Sequence, residues 1–174
     1  MQGYMQEMQN VVKVLFICHG NICRSPMAEF VFKDMVEKRG LKDQFDIKSA
    51  ATSTEEIWGP VGNPIYPPAQ RELKARGIGG TAYTNWKNKR AVQVTRQDYS
   101  YYDYLLCADN NNIRNTMRIT GGDPDGKIKL LLDYAGREGQ SIADPWYTGN
   151  FERTYDDVVE GCEGFLRFLG LEKN

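Results

Sequence analysis

The feature that most constrains this chain is an apolar run, Val11-Val12-Lys13-Val14-Leu15-Phe16-Ile17, leading into Cys18-His19-Gly20-Asn21-Ile22-Cys23-Arg24-Ser25-Pro26. The length and β-branched content of the run predict a buried parallel strand. Ser25 followed by Pro26 reads as a helix start, with Ser25 as N-cap and Pro26 in the first helical position. Strand and helix thus enclose a Cys-x5-Arg loop. Gly20 and Asn21 tolerate unusual backbone angles, so the loop can curl its N–H groups inward as an anion nest. The helix N-terminus adds roughly half a positive charge there. Arg24 supplies a planar fork that grips two phosphoryl oxygens. A thiol in such surroundings is favoured as the thiolate. Cys18 also falls at the carboxyl end of a strand, where open α/β sheets bind their ligands. The stretch therefore pairs a nucleophile, Cys18, with a phosphate cradle formed by His19, Gly20, Asn21, Ile22, Cys23 and Arg24. Cys-x5-Arg alone also arises by chance, with the Cys as a small core residue. The flanking strand and helix start favour the phosphate site.

A chain of 174 residues fits one domain with a real core. A net charge of −1 gives no basic field for nucleic acid or an anionic membrane. No apolar run approaches the roughly 18 residues of a membrane span, and the first residues lack a signal-peptide core. A cytoplasmic protein with four thiols is expected. Cys107 and Cys162 read as core residues. With one His and no paired Cys-x-x-C, no metal site is expected, and no cofactor either.

Residues 1–10 are polar and rich in Met and Gln, and read as a loose extension; 11–174 form the domain. Strands are expected near 45–51, 104–108 and 127–132, with at most a short one at 91–94. Helices are expected at 25–39, 67–76, 95–102, 110–119 and 154–169. Residues 52–68 and 133–150 read as loops. The alternation implies a single-domain α/β fold: an open parallel sheet of about four strands with helices on both faces.

Cleaving an aryl phosphate needs a nucleophile, charge neutralisation and a proton for the leaving oxygen. Cys18 supplies the first; Arg24 and the loop N–H groups supply the second. Ser25 can both hydrogen-bond the thiolate and cap the helix. For the proton, Asp144 stands out among 23 acidic residues because Pro145 restricts its backbone within a long loop. An isolated Asp-Pro is equally an ordinary turn, and the residues alone leave both readings open. Trp58, Trp146 and Tyr147 are loop aromatics able to wall a deep slot for a phosphotyrosine ring.

Residues Cys18 to Glu29 resemble the signature of the low-molecular-weight protein tyrosine phosphatases. The likeness continues through Ser49-Ala50-Ala51-Thr52, Asp103 to Asp109 and Asp144-Pro145-Trp146-Tyr147, and covers about residues 11–169. The resemblance implies hydrolysis of protein phosphotyrosine through a phosphocysteine, with Asp144 as acid and then base. It implies that Asn21 joins Ser25 and Ser49 in a hydrogen-bond network. It also implies a tyrosine-phosphorylated protein as substrate, phosphate as product and, at family level, a cognate tyrosine kinase as partner. A reversible Cys18–Cys23 disulfide on oxidation agrees with family behaviour. Departures are His19, where relatives carry a smaller or aliphatic residue, Lys89 in place of a His, and Glu55-Glu56 at the rim. Phosphoarginine phosphatases of the family carry Thr where this chain has Ile22. Thioredoxin-coupled arsenate reductases need clustered mid-chain cysteines, which are missing. A non-catalytic binding module would have lost the Cys, Arg or Asp.

Overall fold

The computed structural model describes residues 11–171, so the expected extension over 1–10 lies outside the described residues. Four strands, β1 (Val12–Cys18), β2 (Phe45–Ala51), β3 (Tyr104–Cys107) and β4 (Ile128–Leu130), form one parallel sheet in the order β2-β1-β3-β4. Six α-helices accompany them: α1 (Arg24–Lys38), α2 (Pro67–Ala75), α3 (Arg96–Tyr101), α4 (Asn110–Thr120), α5 (Pro145–Thr148) and α6 (Phe151–Phe168).

The period of two along a strand explains the two cores. Val14, Phe16 and Cys18 of β1 face α1, α2 and α6, where Phe32 meets Phe16, Phe45 and Phe165 with ring centroids 5.3–5.7 Å apart. Leu15 and Ile17 face the opposite way, onto Tyr99 of α3 and Ile113 and Met117 of α4. Both faces of the sheet are covered, and that is why β1 reads as an unbroken apolar run. Cys107 and Cys162 are buried core residues.

Strand order positions the site. The chain goes from β1 to β2 on one side and then returns to β3 on the other, so the connections part above β1. Register brings the carboxyl ends together: Cys18 lies opposite Ala51 and Ile17 opposite Cys107.

Several boundaries differ from expectation. The strand at 127–132 shortens to β4 because the chain tightens into a 3₁₀ turn, Leu131–Ala135, that buries Leu131 and Leu132. α6 begins one turn early, since the Asn150 side chain accepts from Arg153 N at 3.0 Å. Residues 91–94 make a single isolated bridge, Gln93 with Ala51. Within the 133–150 loop, α5 adds a four-residue helix capped by Asp144.

Candidate active site

The loop after β1 closes around the Cys18 sulfur. Its carbonyls are held from outside: Cys18 O by Thr52 N (3.0 Å), His19 O by Ser53 N (3.0 Å) and Ile22 O by Tyr66 N (2.9 Å). With the carbonyls turned away, N–H groups face inward, and Asn21 N reaches Cys18 Sγ at 3.3 Å. Asn21 alone among the described non-glycine residues has positive φ, 61°. The left-handed turn anticipated for Gly20 and Asn21 is therefore made by Asn21, which tolerates it better than most residues.

Ser25 requires a correction. The N-cap is Cys23, helix α1 starts at Arg24, and Ser25 makes no capping bond. Its hydroxyl accepts from the Asn21 amide at 2.7 Å and from the Cys18 thiol at 3.0 Å. The same amide donates to Ser49 Oγ (3.0 Å), whose hydroxyl donates to the Glu29 carboxylate at 2.6 Å. Both amide hydrogens are thus committed, and Asn21 Oδ1 accepts from Val92 N at 3.2 Å. The Ser25 proton is left for Ala50 O, at 3.5 Å, or for the Cys18 sulfur once it carries charge. Behind this chain Glu29 is held by Lys33 (2.7 Å) and Lys89 (3.9 Å), while Lys89 Nζ also donates to Ser49 O at 3.0 Å. Burial pushes the Lys89 ammonium below its ordinary pKa, opposed by Glu29. Lys89 thus occupies the network's outer end, and Asn21 turns its side chain there rather than into the cleft.

Cys18 and Arg24 lie in a cleft of about 530 Å³. Arg24 is 5 % exposed. It pairs with Asp109 at 3.0 Å and Asp144 at 3.5 Å, and donates to Ile142 O at 3.2 Å. Burial lowers its pKa, but Cys18, Asp109 and Asp144 outweigh that and raise it above the ordinary value, so it is a fixed cation. Asp109 is a site residue that sequence reasoning passed over. Its place just after β3, level with Cys18, was the available signal. Asp144 caps α5 through Trp146 N (3.0 Å) and turns its other oxygen to Arg24.

His19, Gly20, Ile22 and Cys23 also line the cleft, as do Trp146 and Tyr147. His19 faces outward and pairs with Glu55 at 3.0 Å. Burial first, then Cys18, raises the Cys23 thiol well above the usual range. The exception among the expected wall residues is Trp58. It stands 73 % exposed outside the cleft, because its indole N–H donates to Glu55 O at 2.6 Å. Glu55 and Glu56 occupy that side of the mouth instead.

The family model described as low molecular weight phosphotyrosine protein phosphatase matches residues 13–174. A low molecular weight phosphotyrosine protein phosphatase of Gallus gallus is 41 % identical over 161 residues, covering 90 % of this chain and 94 % of the relative. The low molecular weight protein-tyrosine-phosphatase YfkJ of Bacillus subtilis is 37 % identical over 164 residues, 94 % of this chain and 99 % of its own. The YfkJ crystal structure superposes with a TM-score of 0.82 over 94 % of this chain and 98 % of that one. A Drosophila arginine phosphatase superposes with a TM-score of 0.77 at 32 % identity, over 91 % of this chain and 98 % of the other. The chain belongs to the low molecular weight phosphotyrosine protein phosphatase family.

Proposed function

We propose that this phosphatase hydrolyses protein phosphotyrosine with Cys18 as nucleophile, Arg24 as the fixed cation and Asp144 as acid and base. The supporting observation is the loop geometry: outward-held carbonyls, an inward Asn21 N–H and the Ser25 hydroxyl converge on one sulfur, beside a buried guanidinium. The substrate phosphoryl group settles in the nest and takes over part of the donor capacity that Arg24 extends to Asp144. Cys18 attacks phosphorus in line as the thiolate, with the Ser25 O–H turning toward the sulfur. The P–O bond to tyrosine breaks, and Asp144 delivers its proton to the departing phenolate oxygen. The phosphocysteine is then attacked by water, from which the same carboxylate takes a proton, and phosphate leaves. Fixed donors around the equatorial oxygens supply the charge stabilisation, and no metal or other cofactor is needed.

Trp146 and Tyr147 give the tyrosine ring its apolar wall, and the apolar Ile22 lining the same cleft suits an aryl ester. A cytoplasmic site of action fits four free thiols. A tyrosine-phosphorylated protein is the substrate, and a cognate tyrosine kinase fits as its source. Neither nucleic acid nor membrane is a partner in this reading. Similarity to the Drosophila arginine phosphatase keeps phosphoarginine as the second reading. A turnover panel of phosphotyrosine, phosphoserine and phosphoarginine peptides, with arsenate, decides. Phosphotyrosine should dominate; preferential phosphoarginine cleavage or arsenate reduction would overturn the proposal.

A further inference from the structure

The segment leading into Asp144 is held in an unusual way. Ile142 and Ala143 have no regular secondary structure, yet all four of their backbone polar groups are engaged by other parts of the fold. Ile142 N donates to Ala108 O at 2.9 Å, and Ile142 O accepts from Arg24 at 3.2 Å. Ala143 N donates to Asp157 Oδ2 at 2.8 Å, and Ala143 O accepts from the Thr154 hydroxyl at 2.7 Å. Thr154 and Asp157 stand three residues apart on one face of α6, so a single helical turn grips both backbone groups of one residue, Ala143. Thr154 is fully buried and Asp157 is 7 % exposed, which shields these bonds from competition by water. The second Asp157 oxygen accepts from Arg137 at 2.8 Å, and Arg137 reaches on to Glu160 at 2.6 Å.

Beyond that segment, Asp144 is held by its own carboxylate, which pairs with Arg24 at 3.5 Å and accepts from Trp146 N at 3.0 Å, and by the buried Pro145. Helix α5 that follows it has four residues, and its Trp146 and Tyr147 are 66 % and 86 % exposed. Pro145 narrows the backbone of Asp144, but only relative to Ala143. A proton donor must reach the leaving oxygen within hydrogen-bond distance, and a shift of about 1 Å can cost a hundredfold.

We propose that Thr154 and Asp157 are positioning residues for proton transfer: from α6 they clamp Ala143 and so aim the Asp144 carboxyl at the leaving-group oxygen. This rests on Asp144 being the acid. A purely structural role would damage every substrate alike, whereas a clamp on the acid lowers kcat/KM, which runs only to loss of the phenol, where the leaving group needs a proton.

The experiment compares phenyl phosphate with 2,4-dinitrophenyl phosphate in Thr154→Val, Thr154→Ser, Asp157→Ala and Asp157→Asn, with Asp144→Ala as reference. Circular dichroism and thermal melts select the variants that fold, and Thr154→Val and Asp157→Asn change shape least. Thr154→Val and Asp157→Ala should lower kcat/KM, which runs only to loss of the phenol, by about ten- to a hundredfold on phenyl phosphate, with little change in kcat/KM on the dinitrophenyl ester. Thr154→Ser, which keeps the hydroxyl, should recover most of the loss, and Asp157→Asn, which keeps one acceptor, a part of it. In the Asp144→Ala background neither substitution should cost anything further. Equal losses of kcat/KM on both esters, or an undiminished loss in that background, would overturn the clamp. If Asp144→Ala is leaving-group dependent but the α6 variants are not, the clamp alone fails. If Asp144→Ala itself is not, the acid assignment falls and the clamp with it.

Discussion

At Cys18, Ser25 and Asn21 the chemistry is decided by who donates to whom. Glu29 accepts the Ser49 hydrogen, Ser49 accepts from Asn21, and Asn21 donates its other hydrogen to Ser25, so the polarity of the chain is set from its buried end. The Ser25 hydrogen is the least tightly held of these, with only Ala50 O at 3.5 Å, and it sits beside the Cys18 sulfur. That Cys18, Arg24 and most of the loop between them would meet at one cleft was legible from the Cys-x5-Arg spacing together with the strand and helix start that flank it. The role of Ser25 as N-cap was not, because Ser-Pro after a loop is an ordinary helix start and nothing in the sequence announces a competing sulfur. The other cysteines give a test. Burial raises Cys23 and Cys162 well above the usual thiol range and pushes Cys107 up to about 12, so all three remain protonated through neutral pH. Mass-spectrometric mapping after brief iodoacetamide treatment at pH 7 should find Cys18 alkylated first, with the other three spared. Early labelling of Cys23 would contradict the arrangement.

Among the elements, α6 carries more than its apolar stripe predicts. It packs so closely on the 3₁₀ turn after β4 that a Cβ at Gly164 would lie 2.1 Å from Tyr134 O. Replacing a mid-helix glycine by alanine ordinarily gains up to about 1 kcal/mol. Here the obstacle is backbone, which cannot move aside as a side chain would, and overpacking of this kind costs about 1–3 kcal/mol. Gly164→Ala should therefore lower the midpoint of denaturant unfolding; an unchanged or raised midpoint would refute the close approach. Existence and order of the strands and long helices were readable from periodicity and caps. The end of β4 was not, since a buried apolar run reads the same in a strand and in a 3₁₀ turn. Thr154 and Asp157 were invisible as site residues, because their partners are the backbone groups of Ala143, which carry no sequence signal.

Across the whole molecule, the mouth of the cleft is assembled from four loops at the carboxyl edge of the sheet, and its electrostatics depend on how they meet. Glu55 and Glu56 stand where Trp58 was expected, and Asp109 and Asp144 line the same cleft. Arg24 answers only part of that charge. Exposed pairs contribute about 0.2–1 kcal/mol each. Phosphotyrosine peptides with neighbouring Arg or Lys should therefore show kcat/KM a few-fold above peptides with neighbouring Glu. Glu55→Gln with Glu56→Gln should erase the preference, and a preference that survives the double substitution would place its source elsewhere. The central claim, that the phosphoryl group passes through Cys18 before water takes it, is tested most directly by trapping. Asp144→Ala, which lacks the carboxylate proposed to activate water, is mixed with 2,4-dinitrophenyl phosphate, whose leaving group departs without a proton, quenched in acid within a turnover and mapped by mass spectrometry. The account predicts one phosphoryl group, on Cys18, and none in Cys18→Ser, which should retain less than about a thousandth of the activity. A phosphoryl group on any other residue, or a Cys18→Ser enzyme that still turns over, would contradict it.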